Sequence, residues 1–305
     1  NITAGNIAEF IIYVNMLAWP VASVGWITSI VQRAAASQER INNFLILESE
    51  IQNNTTNPTP IDGDIQFKNV SLTYNNSNIT ALNNINFTIK EGTKLGVFGK
   101  TGSGKSSLAN IMCRLYDTSK GNIIFGKTNI KDLNLFSLRS SIGYIPQDGY
   151  LFSGSIRENI AFAKNIVDEK GIINAAKKAE ILEEINDFKN GFETIIGERG
   201  VKLSGGQRQR LAIARTFYKQ PSLYIFDDCL SAIDRKKEKA ILKNFKTVTK
   251  DKTCMVISHR ITTLKNTDHI IVLKKGKIIE QGTHKSLLQQ KGYYYKINQI
   301  QSNSI

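Results

Sequence analysis

The chain is 305 residues long, 41% apolar and 22% charged, which supplies a core for one large or two modest domains and excludes global disorder. Its formal charge of +14 suits nucleic acid, an anionic membrane surface or a phosphorylated ligand, or simply reflects abundant, scattered Lys. Cys113, Cys229 and Cys254 lie far apart with no C-x-x-C between them, which excludes a zinc site or disulfide framework and points to buried free thiols in a reducing compartment.

The N-terminus lacks the Met and basic segment of a secretory signal. From Phe10 to Val31 runs a charge-free stretch, FIIYVNMLAWPVASVGWITSIV, of the length needed to cross a bilayer as a helix. Pro20 and Gly25 are tolerated in such helices where neighbours satisfy the loosened backbone. Arg33 and Arg40 follow the run and no Lys or Arg precedes it, so the C-terminal side is expected to be cytoplasmic. A buried helix of a soluble protein is the alternative. Asn15 and the many small residues suit packing against further helices, and a single span encloses no pathway. The expectation is therefore a fragment of a multi-pass chain, contacting lipid and transmembrane helices that lie outside the sequence. Apolar residues continue at helical spacing through Phe44 and Leu47. Residues 1–50 thus read as one long helix, 51–60 as a polar, Pro-broken linker around Asn53–Pro60, and 61–305 as a second domain.

In that domain, strand-like alternation marks Ile65–Val70 and the region of Ile85–Ile89. A short apolar strand, Leu95–Phe98, runs into a Gly-rich loop, after which Leu108, Ile111, Met112 and Leu115 recur at helical spacing. Residues from Ile156 to Lys189 are mostly helical by pattern. Leu223–Phe226 and Cys254–Ile257 read as buried parallel strands, and Ile270–Leu273 with Lys277–Glu280 as a hairpin around Lys274-Lys275-Gly276. The fold class is α/β with a membrane helix in front.

Gly99-Lys100-Thr101-Gly102-Ser103-Gly104-Lys105-Ser106 fits the P-loop pattern between a strand and a helix. Its glycines let successive N–H groups face phosphate oxygens, and the helix N-terminus adds partial positive charge. Lys105 is suited to the β- and γ-phosphates, and Ser106, with Ser107 beside it, to Mg²⁺ and phosphate. The pattern implies a nucleoside triphosphate site. Leu223-Tyr224-Ile225-Phe226-Asp227 is an apolar strand ending in a carboxylate, which paired with a P-loop becomes a Mg²⁺ partner. Leu203-Ser204-Gly205-Gly206-Gln207 opens the helix Arg208–Thr216 and offers a second anion site at a helix N-terminus.

With this signature, the chain from Ile61 onward resembles the ATP-binding cassette (ABC) family. The resemblance implies a P-loop NTPase of the ABC type, with a RecA-like core, an antiparallel β subdomain and a helical signature subdomain. It implies that Ser204 to Gln207 clamp the γ-phosphate held by an opposing cassette, so that ATP joins two cassettes head to tail. Tyr74 matches the aromatic that stacks on adenine, and Gln147, in Tyr144-Ile145-Pro146-Gln147, the loop that touches Mg²⁺ and communicates with the membrane domain. Asp234, in Ser231-Ala232-Ile233-Asp234, matches the loop that crosses the dimer interface, and His259 the switch that contacts the γ-phosphate. The span fused ahead of the cassette, and Gly197-Glu198-Arg199-Gly200 before the signature, resemble exporter half-transporters in the cytoplasmic membrane.

One position departs from the family pattern. Where hydrolysing exporter cassettes place Glu after the strand-ending Asp, this chain has Asp228, shorter by a methylene, and a misplacement near 1 Å can cost about 10²-fold in rate. That resembles the subunit of a heterodimeric exporter that keeps an intact signature but a weakened site of its own. A harmless substitution in a homodimer is the alternative. A regulatory or gating subunit that binds ATP with little turnover is the rival reading from another class. DNA-repair and chromosome ATPases share the motifs, but they insert long coiled coils between P-loop and signature or lack the span. No nucleic-acid partner is expected.

Overall fold

The computed structural model describes residues 3–75, 77–162, 164, 166–197 and 203–302. Glu198, Arg199 and Gly200 of the pre-signature segment lie outside the described residues. The chain divides into two compact units, Asn1–Glu50 and Ile51–Ile305.

The first unit is dominated by one helix, α1 (Ala4–Leu45), with a mean hydropathy of 1.6 over its most apolar window. At 1.5 Å per residue such a helix is roughly 60 Å long, about twice the hydrocarbon thickness of a bilayer. Pro20 sits inside it without ending it, and the Ser23 hydroxyl donates to the Pro20 carbonyl at 2.8 Å. Phe10, Ile12, Trp19 and Trp26 are all exposed, an arrangement that water opposes and hydrocarbon accepts. α1 is a candidate membrane span.

The second unit begins its regular structure with β1 (Ile65–Tyr74), β2 (Ile79–Ile89) and β3 (Lys94–Phe98), followed by α2 (Lys105–Met112). Then come β4 (Lys120–Phe125), β5 (Thr128–Asn129), α3 (Leu135–Ser141) and β6 (Ile142–Ile145). The stretch expected to be mostly helical is so, in the short helices α4 (Ile156–Ala161), α5 (Glu169–Lys178) and α6 (Leu182–Asp187), with β7 (Gly154–Ser155) before it and β8 (Ile195–Ile196) after it. The signature opens α7 (Gly205–Lys219), and β9 (Leu223–Asp227), α8 (Arg235–Val248), β10 (Thr253–Ser258) and α9 (Ile261–Leu264) follow. The hairpin β11 (His269–Lys274) and β12 (Lys277–Gly282) leads to α10 (His284–Gln289) and α11 (Tyr293–Ser302).

Among the described residues, two main sheets form. β2-β1-β4-β5 is antiparallel, and β12-β11-β3-β10-β9-β6 is parallel except at its β12 edge. β9 is buried along its whole length and β10 nearly so, as strands covered on both faces must be. The register aligns Phe98 with Ser258, Ile257 with Asp227 and Phe226 with Ile145. The residues after these strands therefore emerge along one edge: Gly99, His259, Asp228 and, beyond Pro146, Gln147. In open parallel sheets that carboxyl edge is where ligands bind.

The polar segment before β1 is tied to the start of α3. Leu135 N–H donates to Asn53 Oδ1 at 2.8 Å, and Asn134 Nδ2 to the Thr55 carbonyl at 2.7 Å. Asn134 N–H donates to Thr59 Oγ1 at 2.8 Å and Thr59 N–H to Ser137 Oγ at 3.3 Å. All three cysteines are free and buried. Burial pushes the Cys113 thiol up to about 12, eased by Arg139 and Lys219, and the Cys254 thiol up to about 11. It also pushes the Cys229 thiol upward.

Candidate functional site

The loop from Gly99 to Gly104 needs glycine for steric reasons. Gly104 has φ +104°, and a Cβ there would meet the Ala81 carbonyl oxygen at 2.6 Å; one at Gly99 would meet the Leu273 oxygen at 2.6 Å. Gly104 is also the N-cap of α2 and supplies no side-chain cap. The first N–H groups of the helix are left for an external acceptor. Lys105 folds over this loop, its Nζ donating to the Lys100 carbonyl at 2.9 Å. Burial lowers its pKa, while the negative charges of Asp228 and Asp227 oppose that shift.

A cavity of about 620 Å³ opens above these groups, within the usual range for small-molecule sites. It gathers Tyr74, Thr101, Gly102, Gly104, Lys105, Ser106, Ser107, Gln147, Asp227, Asp228 and His259. Gly99, Lys100 and Ser103 support the loop without lining the cavity. Ser103 Oγ is buried with no hydrogen-bond partner among the described residues. Lys275 and Gly276 of the β11–β12 turn also line the cavity. Gly276 N–H donates to the Ser103 carbonyl at 3.0 Å, and Asn83 N–H to the Gly276 carbonyl at 2.8 Å. The sequence marks that turn, but only the sheet pairing brings it against the loop.

Tyr74 ends β1 at the cavity wall. Its ring packs edge-on against Tyr116, with centroids 5.0 Å apart, and its hydroxyl donates to Ser107 Oγ at 3.0 Å. One flank of the Gln147 loop is held by the signature helix: Gln209 Nε2 donates to the Gln147 carbonyl at 2.6 Å. Gln209 Oε1 is buried without a partner among the described residues.

Asp227 is buried at the end of β9. It accepts from the Ser106 hydroxyl and, at 3.4 Å, from Tyr144. Burial raises its pKa and Asp228 raises it further, against the Ser106 hydrogen bond and Lys105. A buried carboxylate beside a second carboxylate and a hydroxyl is a hard-oxygen donor set, which fits Mg²⁺. Among the described residues no group of three or more His, Cys, Asp or Glu is placed to hold a metal ion by itself. A cation here would therefore complete its shell with phosphate and water oxygens, as Mg²⁺ does in phosphoryl-transfer sites.

Asp228 lies just past the strand with φ +48°, in the left-handed region that Asp tolerates better than most residues. Its N–H donates to the Ile257 carbonyl at 2.9 Å. Ser258 Oγ donates to Asp228 Oδ1 at 3.3 Å, and Asp228 Oδ2 pairs with His259 Nδ1. The carboxylate is thus fixed through both oxygens, next to an imidazole that is half exposed to the cavity.

The signature residues stand outside this cavity. Ser204 caps α7: its Oγ accepts from Gln207 N–H at 3.2 Å, and Gln207 Oε1 accepts from Ser204 N–H at 2.9 Å, a reciprocal capping box. Used as an acceptor in the cap, the Ser204 hydroxyl still has its proton to donate. Ser204 and Gly205 are exposed. A Cβ on Gly206 would meet the Ala232 carbonyl oxygen at 3.0 Å, so the helix start abuts the Ser231–Asp234 loop. Asp234 caps α8, accepting from Lys236 and Lys237 N–H at 3.1 and 3.0 Å, and these donors hold its pKa below the usual carboxylate value.

A model of the ABC transporter family matches residues 82–231. The chain is 39% identical over 303 residues to an uncharacterised ABC transporter ATP-binding protein, YknU, of Bacillus subtilis (strain 168), covering 99% of this chain and 52% of that protein. It is 39% identical over 297 residues to YheI of the same organism, a probable multidrug resistance ABC transporter ATP-binding/permease protein, covering 96% and 50%. It is 40% identical over 304 residues to the ATP-dependent lipid A-core flippase of Haemophilus influenzae (strain 86-028NP), covering 99% and 51%. Among solved structures, it is similar to a bacterial Atm1-family ABC exporter with ATP bound. The TM-score is 0.84 at 31% identity, with 98% of this chain and 52% of that one covered. The chain spans about half the length of the curated relatives it matches.

Proposed function

The chain belongs to the ABC transporter family, and from that premise we propose that it is the ATP-driven part of an exporter half-transporter in the cytoplasmic membrane. Its cassette lies on the cytoplasmic side. The observation that carries the reading is the division of the site: one cavity holds the P-loop, Asp227, Asp228 and His259, while the signature start is exposed and outside it. A site so divided is completed by a second cassette, whose signature meets this cavity while Ser204, Gly205, Gly206 and Gln207 of this chain meet the partner's ATP.

In this reading Tyr74 stacks on adenine. The loop Gly99–Gly104 and the first N–H groups of α2 surround the β- and γ-phosphates, and Lys105 neutralises them. Mg²⁺ would be held by Ser106, Asp227 and Gln147, and would supply charge neutralisation on the phosphate oxygens. Asp228 orients the attacking water and accepts its proton. His259 holds Asp228 and reaches the γ-phosphate, and Asp234 fixes the loop at the cassette interface by capping α8. Next to the Gln147 loop, Phe152 and Phe162 stack at 4.3 Å with Arg215 over both rings, and both aromatics are exposed. Such a patch suits a helix of the membrane domain.

The short carboxylate of Asp228 favours a heterodimer over a homodimer, with a second half-transporter supplying the faster site. It also supports a second reading, an ATP-binding regulatory subunit with little turnover of its own. The relatives named for lipid A core and for drugs are about equally similar to this chain, which supports placing cargo choice in helices outside it.

The reading is tested by phosphate release from the full chain in detergent at increasing protein concentration. Release per chain should rise with concentration as cassettes pair; a rate independent of concentration counts against a shared site. Tyr74 gives a separate test. Stacking on a base contributes about 1–3 kcal/mol, so Tyr74→Ala should weaken ATP binding about ten-fold or more. Tyr74→Phe loses only the hydroxyl bonded to Ser107 and should bind nearly as the parent. Equal loss in both variants would mean that the hydroxyl, not the ring, serves the nucleotide.

A further inference from the structure

Gln301, near the end of α11, grips the backbone directly after His259, at the two peptides that flank Arg260. Its Nε2 donates to the His259 carbonyl at 2.8 Å, and its Oε1 accepts from the Ile261 N–H at 2.9 Å. Ile261 is the first residue of α9, a single turn whose N-cap, Arg260, makes no side-chain cap bond. Gln301 therefore provides from another helix the cap that α9 lacks. The amide between these two points is also held, since Arg260 N–H donates to Ser258 Oγ at 3.0 Å. The same Ser258 hydroxyl donates to Asp228.

The other end of α11 is anchored beside the P-loop strand. Tyr294 is buried, its N–H donates to Glu280 Oε2 at 3.0 Å, and its ring packs edge-on against Phe98 with centroids 5.5 Å apart. Phe98 is the last residue of β3, immediately before Gly99. From Tyr294 to Gln301 the helix rises about 10 Å, a short strut between the strand that feeds the phosphate loop and the backbone that carries the imidazole.

Resting on the role given above to His259, we propose that Gln301 is a positioning residue for hydrolysis: it fixes the backbone from which His259 meets Asp228 and the phosphate. The C-terminal helix thereby controls the switch without touching nucleotide. Removing Gln301 leaves the P-loop, Lys105 and Tyr74 intact, so the effect should fall on turnover and spare binding.

The test uses the full chain in detergent, with Gln301→Ala, Gln301→Glu and, as a control on the same helix, Gln299→Ala. Among the described residues, Gln299 bonds within α11, to the Tyr295 hydroxyl at 2.9 Å. Amide hydrogen exchange is read at Ile261 without nucleotide; kcat and fluorescent-ATP affinity are read alongside. Gln301→Ala should speed Ile261 exchange and lower kcat, each about five- to ten-fold, the size expected for lost hydrogen bonds, with ATP affinity unchanged. Gln301→Glu keeps an acceptor for Ile261 but no donor for the His259 carbonyl, so it should retain protection and still lose turnover. Gln299→Ala should change neither. On a His259→Ala background, Gln301→Ala should cost nothing further.

Unchanged exchange at Ile261 overturns the proposal, as does faster exchange with unchanged kcat. So does a full second loss on the His259→Ala background, which marks a general structural role. If the parent chain itself fails to bind or hydrolyse ATP, the functional reading fails instead, and the exchange arm still decides whether Gln301 holds the loop.

Discussion

Lys105→Ala is expected to reduce Mg-ATP affinity at this chain's cavity by at least about 10²-fold. A unit charge pair at 4 Å near a protein surface interacts by about 4 kcal/mol, and each 1.4 kcal/mol is a factor of ten in affinity. Discounted by half for solvent, the charge alone still accounts for roughly 30-fold. Two further consequences reinforce it. The ammonium bonds the Lys100 carbonyl, so its removal frees the loop, and Asp227 and Asp228 then face incoming phosphate without the Lys105 charge that opposes theirs. Lys105→Arg keeps the charge but not the compact geometry and should fall between the two. Titration of the full chain with a fluorescent ATP analogue reads the result. Unchanged affinity in Lys105→Ala would remove it from the site.

The second large effect concerns Asp228 and Ser204 together. In a self-paired dimer, Asp228→Glu should raise phosphate release by up to about 10²-fold, the scale of a 1 Å displacement of a reacting group. The gain is reduced because the position has φ +48°, which Asp tolerates better than Glu. Ser204→Arg should lower release by a similar factor while nucleotide occupancy stays near the parent level. That variant also removes the cap of α7, worth about 0.5–2 kcal/mol. Ser204→Asp separates the two causes, because Asp caps a helix well yet sets an anion against the partner's γ-phosphate. If Ser204→Asp turns over ATP normally, the signature does not meet phosphate. In an assembly with a faster partner, Asp228→Asn should reduce total turnover only modestly. Silence there would make Asp228 a fully working catalytic residue and end the weakened-site reading.

Most of the parallel sheet was legible because buried strands declare themselves as short apolar runs. Leu95–Phe98, Leu223–Phe226 and Cys254–Ile257 lie within β3, β9 and β10, side by side. The residues singled out for chemistry follow directly after those runs, and the structure gathers Thr101, Gly102, Gly104, Lys105, Ser106, Asp227, Asp228 and His259 around one cavity. What escaped was whatever tertiary pairing decides. The segment Asn53–Thr59 looks like free polar chain, yet its groups satisfy the start of α3. The region after Ile156 keeps helical periodicity across α4, α5 and α6, because the breaks at Phe162 and near Ala179 carry no Gly or Pro to mark them. The left-handed backbone of Asp228 and the reach of Gln301 carry no local pattern at all. Gln301 stands 42 residues from the carbonyl it holds, and nothing in its neighbours distinguishes it from Gln299.

The three buried thiols have a practical consequence for anyone wishing to watch this molecule move. Alkylating reagents attack the thiolate. With Cys113 near 12 and Cys254 near 11, only about one thiol in 10⁴ or fewer is ionised at neutral pH, and each is shielded from solvent as well. Cys229, pushed up further by burial, is quieter still. The native cysteines are spectators, and a maleimide dye added to the folded chain finds little to react with. A single cysteine introduced at an exposed site, such as Phe136→Cys, would carry the label alone, leaving the natural background in place for distance measurements through a turnover cycle.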